Sequence, residues 1–278
     1  MNHYLFSIDL EDVRLRMRNG QQYKERVPEM TERYLSFLKK HNAKATFFIV
    51  GDMAEAYPSL IRDIVAEGHE TGCHSYRHDT LEMLGPEAFK KDVERNMEAL
   101  MKAGAKNIYG FRAPVFSLTE KVSWAYEILE ECGIKYSSSV LPAPSPLYGW
   151  PGFGSSPTIK GKILEIPMTL CSIAGKRIPF AGGIYFRLLP SFVIKRAFQT
   201  EFKKNDFILG YFHPYDIDTE QERFMHPGIH DSKIYNALMY CNRGSVFEKL
   251  EKVIDANTSI ITYKEFINRK KLLGYQLN

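Results

Sequence analysis

Gly68-His69-Glu70-Thr71-Gly72-Cys73-His74-Ser75-Tyr76-Arg77-His78 joins a short strand-like run to two histidines four positions apart. The run up to Cys73 predicts a strand, and His74 and His78 follow its carboxyl end. On one turn of helix, residues i and i+4 point the same way, so both imidazoles can reach one ion at roughly 2.0–2.1 Å. The same spacing also fits two ordinary surface histidines. The stretch therefore predicts a candidate metal site that needs support from the rest of the chain.

An acidic third ligand is available at the end of the first predicted strand. Asp9, Glu11 and Asp12 follow the apolar run 4–8, which is typical of a buried parallel strand. The carboxyl ends of such strands are where α/β folds place their chemistry. A fourth, open position would hold a water molecule. Zinc is the expected ion, and cobalt, nickel, manganese and iron are alternatives.

The sequence leaves two choices for the acidic ligand. Side chains alternate along a strand, so Glu11 shares the face of Asp9 if the strand continues through Glu11. If the strand ends at Asp9, a turn can bring Asp12 to the ion instead. A strand of five or six residues from Tyr4 would end near Asp9, which favours Asp12.

Composition indicates an ordinary folded protein. Of 278 residues, 44% are hydrophobic and 25% charged, and the net charge of +4 comes from scattered basic residues, which argues against a nucleic-acid partner. The four cysteines form no CxxC pair, so a cysteine zinc site or disulfide framework is not indicated. No run approaches 18 apolar residues, and the chain begins directly in a predicted strand. We expect a cytoplasmic protein without a transmembrane segment. The sequence is compatible with a peripheral membrane contact, and it does not indicate an oligomeric state.

Strands alternate with helices along most of the chain. This pattern predicts an irregular α/β fold of the (β/α) barrel type, forming one domain over residues 1–278. The proline-rich stretch 141–157 is predicted to be irregular. Predicted strands cover residues 4–9, 43–50, 68–73, 107–112, 134–137, 162–167, 207–214 and 259–262, and the main predicted helices cover 30–41, 58–67, 86–103, 119–132, 190–204 and 232–255.

Four motifs carry a family resemblance. FSIDLED, GHETGCHSYRH, GFRAP and GYFHP occur in this order between about residues 4 and 215, and together they resemble the polysaccharide deacetylases of carbohydrate esterase family 4. The resemblance implies a distorted (β/α) barrel with seven or eight strands and metal-dependent removal of acetyl groups from sugars. FRAPVFSLT, AGGIYFRLLP and YFHPYDID further resemble the subgroup that accompanies exopolysaccharide assembly.

Three residues then receive catalytic roles. Asp9 is the candidate general base, because a carboxylate beside the ion can take a proton from its water. His213 ends another predicted strand and is the candidate general acid. Arg112 resembles the family arginine that ion-pairs with the base, a role that suits its planar fork. Taken singly, each residue also has an ordinary structural explanation as a turn cap, a packing residue or a surface ion pair.

Candidate substrate-contacting residues are Pro114, Tyr211 and Trp150. Tyr211 equally fits the core, and Trp150 equally fits an anchor for its own loop. The chain departs from the family pattern in two places. It has Asp9-Leu10-Glu11-Asp12 where the family has two adjacent aspartates and a glycine, and it lacks a clear aspartate–tryptophan motif, so that Asp216 or Glu165 is left to tune His213.

The sequence thus supports a metal-dependent deacetylase acting on an acetylated sugar in a glycan, a lipid-linked saccharide or a nucleotide sugar. Two alternatives stay open. One is a C–N hydrolase acting on a small amide or ureide, and the other is a non-catalytic sugar-binding relative. The retention of Asp9, both HSYRH histidines and His213 argues against the second alternative.

Overall fold

Among the described residues of the computed structural model, eight mutually parallel strands and one antiparallel strand form the central sheet. The structure describes residues 2–145, 147–173, 175–229 and 231–277. The strands are β1 (Asn2–Leu10), β2 (Thr46–Ile49), β3 (Glu70–Cys73), β4 (Gly110–Phe111), β5 (Tyr136–Ser137), β6 (Thr158–Lys160), β7 (Ile163–Glu165), β8 (Leu170–Ile173), β9 (Lys176–Pro179), β10 (Phe207–Phe212) and β11 (Thr258–Ile261). The order in the sheet is β10-β1-β2-β3-β4-β5-β7-β6, with β11 also on β1, while β8 and β9 form a separate hairpin.

β1 is the central strand of this arrangement. It pairs with β10 along one edge, and with β11 and then β2 along the other. Its residues from His3 to Leu10 are buried, as expected for a parallel strand covered on both faces. Ile8 is paired with Phe212, and Cys73 of β3 is paired with Phe111 of β4. This register brings the residues that follow these strands to one edge of the sheet.

In the part of the chain that the structure describes, ten α-helices pack around the sheet. They are α1 (Val27–Lys40), α2 (Gly51–Ala56), α3 (Pro58–Ala66), α4 (Leu81–Lys102), α5 (Ala125–Glu131), α6 (Gly183–Leu188), α7 (Ser191–Phe202), α8 (Lys233–Met239), α9 (Val246–Val253) and α10 (Tyr263–Lys270). α3 begins at a proline, whose fixed φ suits the first helical turn. α4 is kinked at Gly85, which has a positive φ of 69°. Short 3-10 helices cover residues 13–16, 20–22, 114–116, 120–122, 214–216 and 243–245.

The predicted distorted (β/α) barrel is confirmed at the level of the fold, with nine strands in the main sheet. The excess over seven or eight strands comes from the antiparallel β6, which lies in the stretch predicted to be irregular or just beyond it. The β8–β9 hairpin and α6 were also not predicted. The predicted helix 119–132 is divided, because residues 120–122 form a 3-10 turn before α5. Among the described residues, no helix has the length and apolar character needed to cross a membrane.

Gly210 of β10 lies where the sheet admits no side chain. A β-carbon at this position would clash with the carbonyl oxygen of Ala181 and lie 2.5 Å from Tyr4 Oη. Tyr4 Oη itself donates a hydrogen bond of 2.5 Å to the same carbonyl. We therefore expect Gly210→Ala to lower the free energy of unfolding by about 3 kcal/mol, as a strained, overpacked core does.

Urea denaturation would measure this loss. Gly152→Ala is the matched control, because a β-carbon at Gly152 meets nothing within 4 Å and the residue has no positive φ. The control should stay within about 0.5 kcal/mol of the wild type. Equal midpoints for both variants would contradict this account of the packing at β10.

Candidate active site

The segment His74–His78 is a bend, and the predicted turn of helix is wrong. Ser75 and His78 have positive φ angles of 65° and 60°, which fold the chain back on itself. The two imidazoles still meet, with ring centroids 4.9 Å apart and the planes nearly perpendicular. Two side chains of α4 hold the bend: Asp92 Oδ1 accepts a 2.9 Å hydrogen bond from the Tyr76 amide, and Asn96 donates to the Ser75 carbonyl. Tertiary contacts therefore bring together two rings that a helix was expected to align.

His74 is fully buried at the carboxyl end of β3, with a defined tautomer. Its Nδ1 lies 2.8 Å from the carbonyl oxygen of Arg112. Because a carbonyl oxygen only accepts, Nδ1 carries the proton and Nε2 keeps a lone pair. Burial lowers the pKa of His74. The neutral ring thus presents a nitrogen that can act as a metal ligand.

Glu11 lies between His78 on one side and His213 on the other. Its Oε2 is 3.0 Å from His78 Nε2, and its Oε1 is 3.9 Å from His213 Nε2. Arg16 forms an ion pair with the same Oε2. Burial alone would raise the pKa of Glu11, but the charge and hydrogen bond of Arg16 hold this pKa well below its usual range. Burial also places the pKa of His78 well below the ordinary histidine value. The structure thus combines an ionised carboxylate with neutral imidazoles.

Among the described residues, Asp12 contacts Arg14 and no histidine of the site, so the geometry favours Glu11 over the expected Asp12 as the acidic ligand. Asp12 Oδ1 accepts a 2.9 Å hydrogen bond from the Arg14 amide, and Oδ2 lies 2.6 Å from Arg14 Nη2. β1 continues to Leu10, beyond the predicted end at Asp9. Strand alternation therefore keeps Glu11 on the face of Asp9, and the chain turns only at Asp12. Asp12 caps the 3-10 helix that follows β1.

Arg112 and Asp9 form a buried ion pair behind this site. Arg112 Nη1 donates 2.7 Å to Asp9 Oδ1 and 2.6 Å to Ser7 Oγ. The rest of the guanidinium donates to Ser138 and to Tyr263 Oη, and its plane lies 4.2 Å from the Phe48 ring centroid. Arg112 has no exposed surface. This side chain is fixed on every side and therefore fixes the orientation of Asp9.

Asp216, and not Glu165, is the residue that binds His213 and raises its pKa. His213 Nδ1 lies 3.0 Å from Asp216 Oδ2, and the His213 amide donates 2.8 Å to the same oxygen. Burial lowers the pKa of His213, but the hydrogen bond and charge of Asp216, with Glu11 and Asp9 nearby, raise the pKa above its ordinary value overall. Glu165 lies elsewhere, where it accepts from the Ser139 and Val140 amides.

Two arginines of this site were missed by the sequence analysis. Arg187 Nε lies 2.8 Å from Asp216 Oδ1, and its charge helps to hold the pKa of Asp216 below the usual range against the effect of burial. Arg187 comes from α6, a helix that was not predicted. Arg16 follows Glu11 by five residues, and a basic residue so close to an acidic run was the one available sequence signal.

The three candidate substrate-contacting residues lie in different settings. The Tyr211 ring packs edge-on against His213 at 5.6 Å and against Phe116 at 5.1 Å, so it borders the candidate general acid. Pro114 is buried and begins the 3-10 turn that follows Arg112. Trp150 packs against Phe153 in its own loop and beneath the ammonium of Lys160. These contacts match an anchoring role for Trp150.

The residues present fit a divalent metal by their chemistry. Two neutral imidazoles and one carboxylate, from His74, His78 and Glu11, are a common zinc donor set. Within the described ranges, however, no group of three His, Cys, Asp or Glu side chains is arranged so that it could hold an ion as it stands. The contact between Arg16 and Glu11 Oε2 is a specific reason, because the guanidinium uses an oxygen that the ion would need.

Comparison with known proteins gives consistent matches. Residues 20–137 match the family model described as polysaccharide deacetylase, and residues 138–267 match one described as a domain of unknown function, DUF3473. A peptidoglycan-N-acetylglucosamine deacetylase of Bacillus cereus is 33% identical over 100 residues. That match spans 36% of this chain and 36% of the relative, about a third of its length.

Solved structures share the fold at low sequence identity. A Mycobacterium smegmatis protein, itself only provisionally assigned as a polysaccharide deacetylase, has a TM-score of 0.62 at 17% identity, with 99% of this chain and 93% of that chain covered. A carbohydrate esterase family 4 pseudoenzyme from Bacillus anthracis has a TM-score of 0.54 at 14% identity, with 95% and 64% covered. These similarities establish the architecture and leave the chemistry to the site.

The His213–Asp216 pair makes a direct prediction for titration. In Asp216→Asn the hydrogen-bond acceptor stays but the negative charge is lost, so the pKa of His213 should fall below that of the wild type. An NMR titration of the imidazole, assigned by its loss in His213→Ala, would measure the change.

Asp218→Asn is the control, because Asp218 pairs with Arg26 and has no recorded contact with His213 among the described residues. The control should leave the pKa of His213 unchanged. The same pKa in the wild type and in Asp216→Asn would show that Asp216 does not set the proton affinity of His213.

Proposed function

We propose that this chain, whose residues 20–137 match the polysaccharide deacetylase family model, is a hydrolase that removes an acetyl group, preferentially an N-acetyl group, from a sugar. The observation that carries the proposal is the placement of two proton-transfer groups around one cluster. Asp9, oriented by Arg112, and His213, held by Asp216, both lie at the carboxyl ends of strands, at the edge where Glu11, His74 and His78 lie. This is the set of groups that amide or ester hydrolysis by water requires.

Glu11, His74 and His78 are the residues that would hold a divalent metal ion. When bound, such an ion would polarise the acetyl carbonyl and lower the pKa of a water molecule toward neutrality. His74 is prepared for this role, since its Nδ1 is fixed on the Arg112 carbonyl. Zinc is our first choice of ion, because two imidazoles and a carboxylate suit it.

Asp9 would act as the general base. Arg112 Nη1 donates to Asp9 Oδ1 and is itself held by Ser7 Oγ, so one oxygen of the carboxylate is fixed by the buried arginine. An oriented carboxylate can take a proton from the attacking water without first reorganising. The buried arginine keeps this carboxylate in place through the reaction.

His213 would act as the general acid. Because Nδ1 is bound to Asp216, Nε2 is the nitrogen that faces the site, 3.9 Å from Glu11 Oε1. A raised pKa keeps a larger fraction of His213 protonated near neutral pH, as proton donation to the leaving nitrogen or oxygen requires. Tyr211 packs against this imidazole and would contact the substrate on the same side.

The substrate class is also a proposal. The matched B. cereus relative is named for N-acetylglucosamine in peptidoglycan, which supports an N-acetylated amino sugar. The sugar would belong to a glycan, a lipid-linked saccharide or a nucleotide sugar, as part of polysaccharide biosynthesis in the cytoplasm. We make no choice among these carriers.

A non-catalytic sugar-binding relative is the second candidate function. It is favoured by one observation, the ion pair of Arg16 with Glu11, which uses a carboxylate oxygen needed for the metal. Acetate release from a panel of N-acetylated sugars, with and without added metal, distinguishes the two functions. A ureide added to the same panel covers hydrolysis of small amides.

Metal titration should identify the acidic ligand. We expect the protein to bind about one divalent ion per chain, and His74→Ala, His78→Ala and Glu11→Gln each to lose most of the affinity. Asp12→Asn is the matched control, since Asp12 is a neighbouring buried carboxylate directed at Arg14. Isothermal titration of the metal-free protein measures all five forms. A large loss in Asp12→Asn with little in Glu11→Gln would reverse the assignment.

Turnover should separate proton transfer from metal binding. Asp9→Asn and His213→Ala should each lower the rate of acetate release by roughly 10²–10⁴, because each removes a proton-transfer group. Both variants should still bind metal. Trp150→Ala, in a loop packed on itself, should change this rate little. Full activity in either catalytic variant would refute the role given to that residue.

A further inference from the structure

The three carboxylates of the site are each paired with an arginine, but the three arginines are held very differently. Arg112 and Arg187 have no exposed surface. Arg112 donates hydrogen bonds to Asp9, Ser7, Ser138 and Tyr263. Arg187 contacts Asp216 and also donates to the main-chain carbonyls of residues 238, 239 and 241. Neither side chain can leave its carboxylate without breaking several buried hydrogen bonds.

Arg16 is the exception. Its side chain is 20% exposed, and in the part of the chain that the structure describes, Glu11 is the one hydrogen-bond partner of its guanidinium. It therefore reaches the site from the solvent side and is attached there at a single point. A guanidinium attached in this way can move away from Glu11 by a change of side-chain rotamer.

The backbone that carries Arg16 is anchored independently of it. Arg14, two residues earlier, binds Asp12 at 2.6 Å, the Tyr23 carbonyl at 3.0 Å and Tyr57 Oη at 3.1 Å. These contacts fix the 3-10 segment 13–16 whether or not Arg16 touches Glu11. Release of Arg16 thus requires no refolding of the segment.

Arg16 Nη1 and His78 Nε2 contact the same carboxylate oxygen, Glu11 Oε2. A divalent ion held by Glu11 and His78 would have to lie between these two side chains. Two cations cannot share one oxygen at close range without strong mutual repulsion, which is weakly screened in a buried site. The guanidinium and the ion are therefore alternatives at this oxygen.

We propose that Arg16 is a built-in counter-cation, which neutralises Glu11 in the metal-free protein and competes with the divalent ion for that carboxylate. The inference rests on the proposed metal site. It means that metal binding displaces Arg16 from Glu11, that the metal-free protein stays folded, and that affinity for the ion is lower than the three ligands alone would provide.

The sign of one measurement tests this role. If Arg16 only oriented Glu11 as an outer support, its removal would weaken metal affinity by about 10–100-fold. As a competitor, its removal should strengthen affinity. We expect Arg16→Met to bind Zn²⁺ about tenfold more tightly than the wild type, in a titration of metal-free protein against a chelator that competes for zinc.

Arg18→Met is the matched control. It removes the same charge two residues further along the chain, where Arg18 is exposed and pairs with no acidic residue among those that the structure describes, so zinc affinity should change little. Arg16→Gln, which is neutral and polar, provides a second variant and should shift affinity in the same direction as Arg16→Met. If Arg16→Met does not fold, Arg16→Gln decides the outcome.

Thermal unfolding provides a readout independent of affinity. Without metal, Arg16→Met leaves the buried Glu11 carboxylate without its ion-pair partner, so its melting temperature should fall below that of the wild type. Saturating zinc should restore it, and the gain on adding zinc should exceed the gain in the wild type.

Zinc affinity in Arg16→Met equal to or weaker than that of the wild type would overturn the proposal, as would the absence of zinc binding by both proteins. Acetate release separates this failure from that of the proposed function. Tighter zinc binding without acetate release supports the role of Arg16 and contradicts the deacetylase. Acetate release without tighter zinc binding in Arg16→Met contradicts the role of Arg16 and supports the deacetylase.

Discussion

Burial of several carboxylates at one edge of a sheet is the constraint on which this structure depends. An ionised carboxylate loses its hydration when buried, and removal of its partner costs about 3–5 kcal/mol in typical buried pairs. Five buried acidic residues in and around the site are each matched with an arginine. The pairs are Asp9–Arg112, Glu11–Arg16, Asp12–Arg14, Asp216–Arg187 and Asp218–Arg26. For Glu11 and Asp216, the positive charges of Arg16 and Arg187 hold the carboxyl pKa below its usual range against the effect of burial.

The pairs differ in the length of chain that separates their members. Arg112 reaches Asp9 from 103 residues away, and its own carbonyl holds His74. One residue at the end of β4 thus connects the candidate base to the candidate metal ligand. Arg16 pairs with Glu11 inside the turn that follows β1, and can exchange its partner without disturbing the sheet. The long-range pairs make the site rigid, whereas the local pair of Glu11 with Arg16 leaves the Glu11 carboxylate able to exchange its partner in our proposal.

The backbone of the site is likewise set partly by regular strand pairing and partly by contacts with a distant helix. The strands deliver Asp9 and His213 with a register set by Ile8 and Phe212, which follows from regular pairing. The histidines of the HSYRH segment are brought together by two left-handed residues and by hydrogen bonds from α4. A spacing of four residues was compatible with a helix, and the contacts with α4 selected a bend. The metal-type pair was predictable here, but its backbone was not.

The amino-acid pattern was sufficient for the properties that depend on near neighbours. Apolar runs ending in polar residues predicted the strands that carry Asp9, His74, Arg112 and His213, and the order of four motifs predicted the family and the barrel. Three other properties required the folded chain: the position of Glu11 beside His78, the choice of Asp216 over Glu165, and the contact of Arg16. The physical reason is range. Side-chain alternation and helix periodicity are set within a few residues, whereas the partner of a buried charge is selected by whichever opposite charge the packing of distant elements brings within about 4 Å.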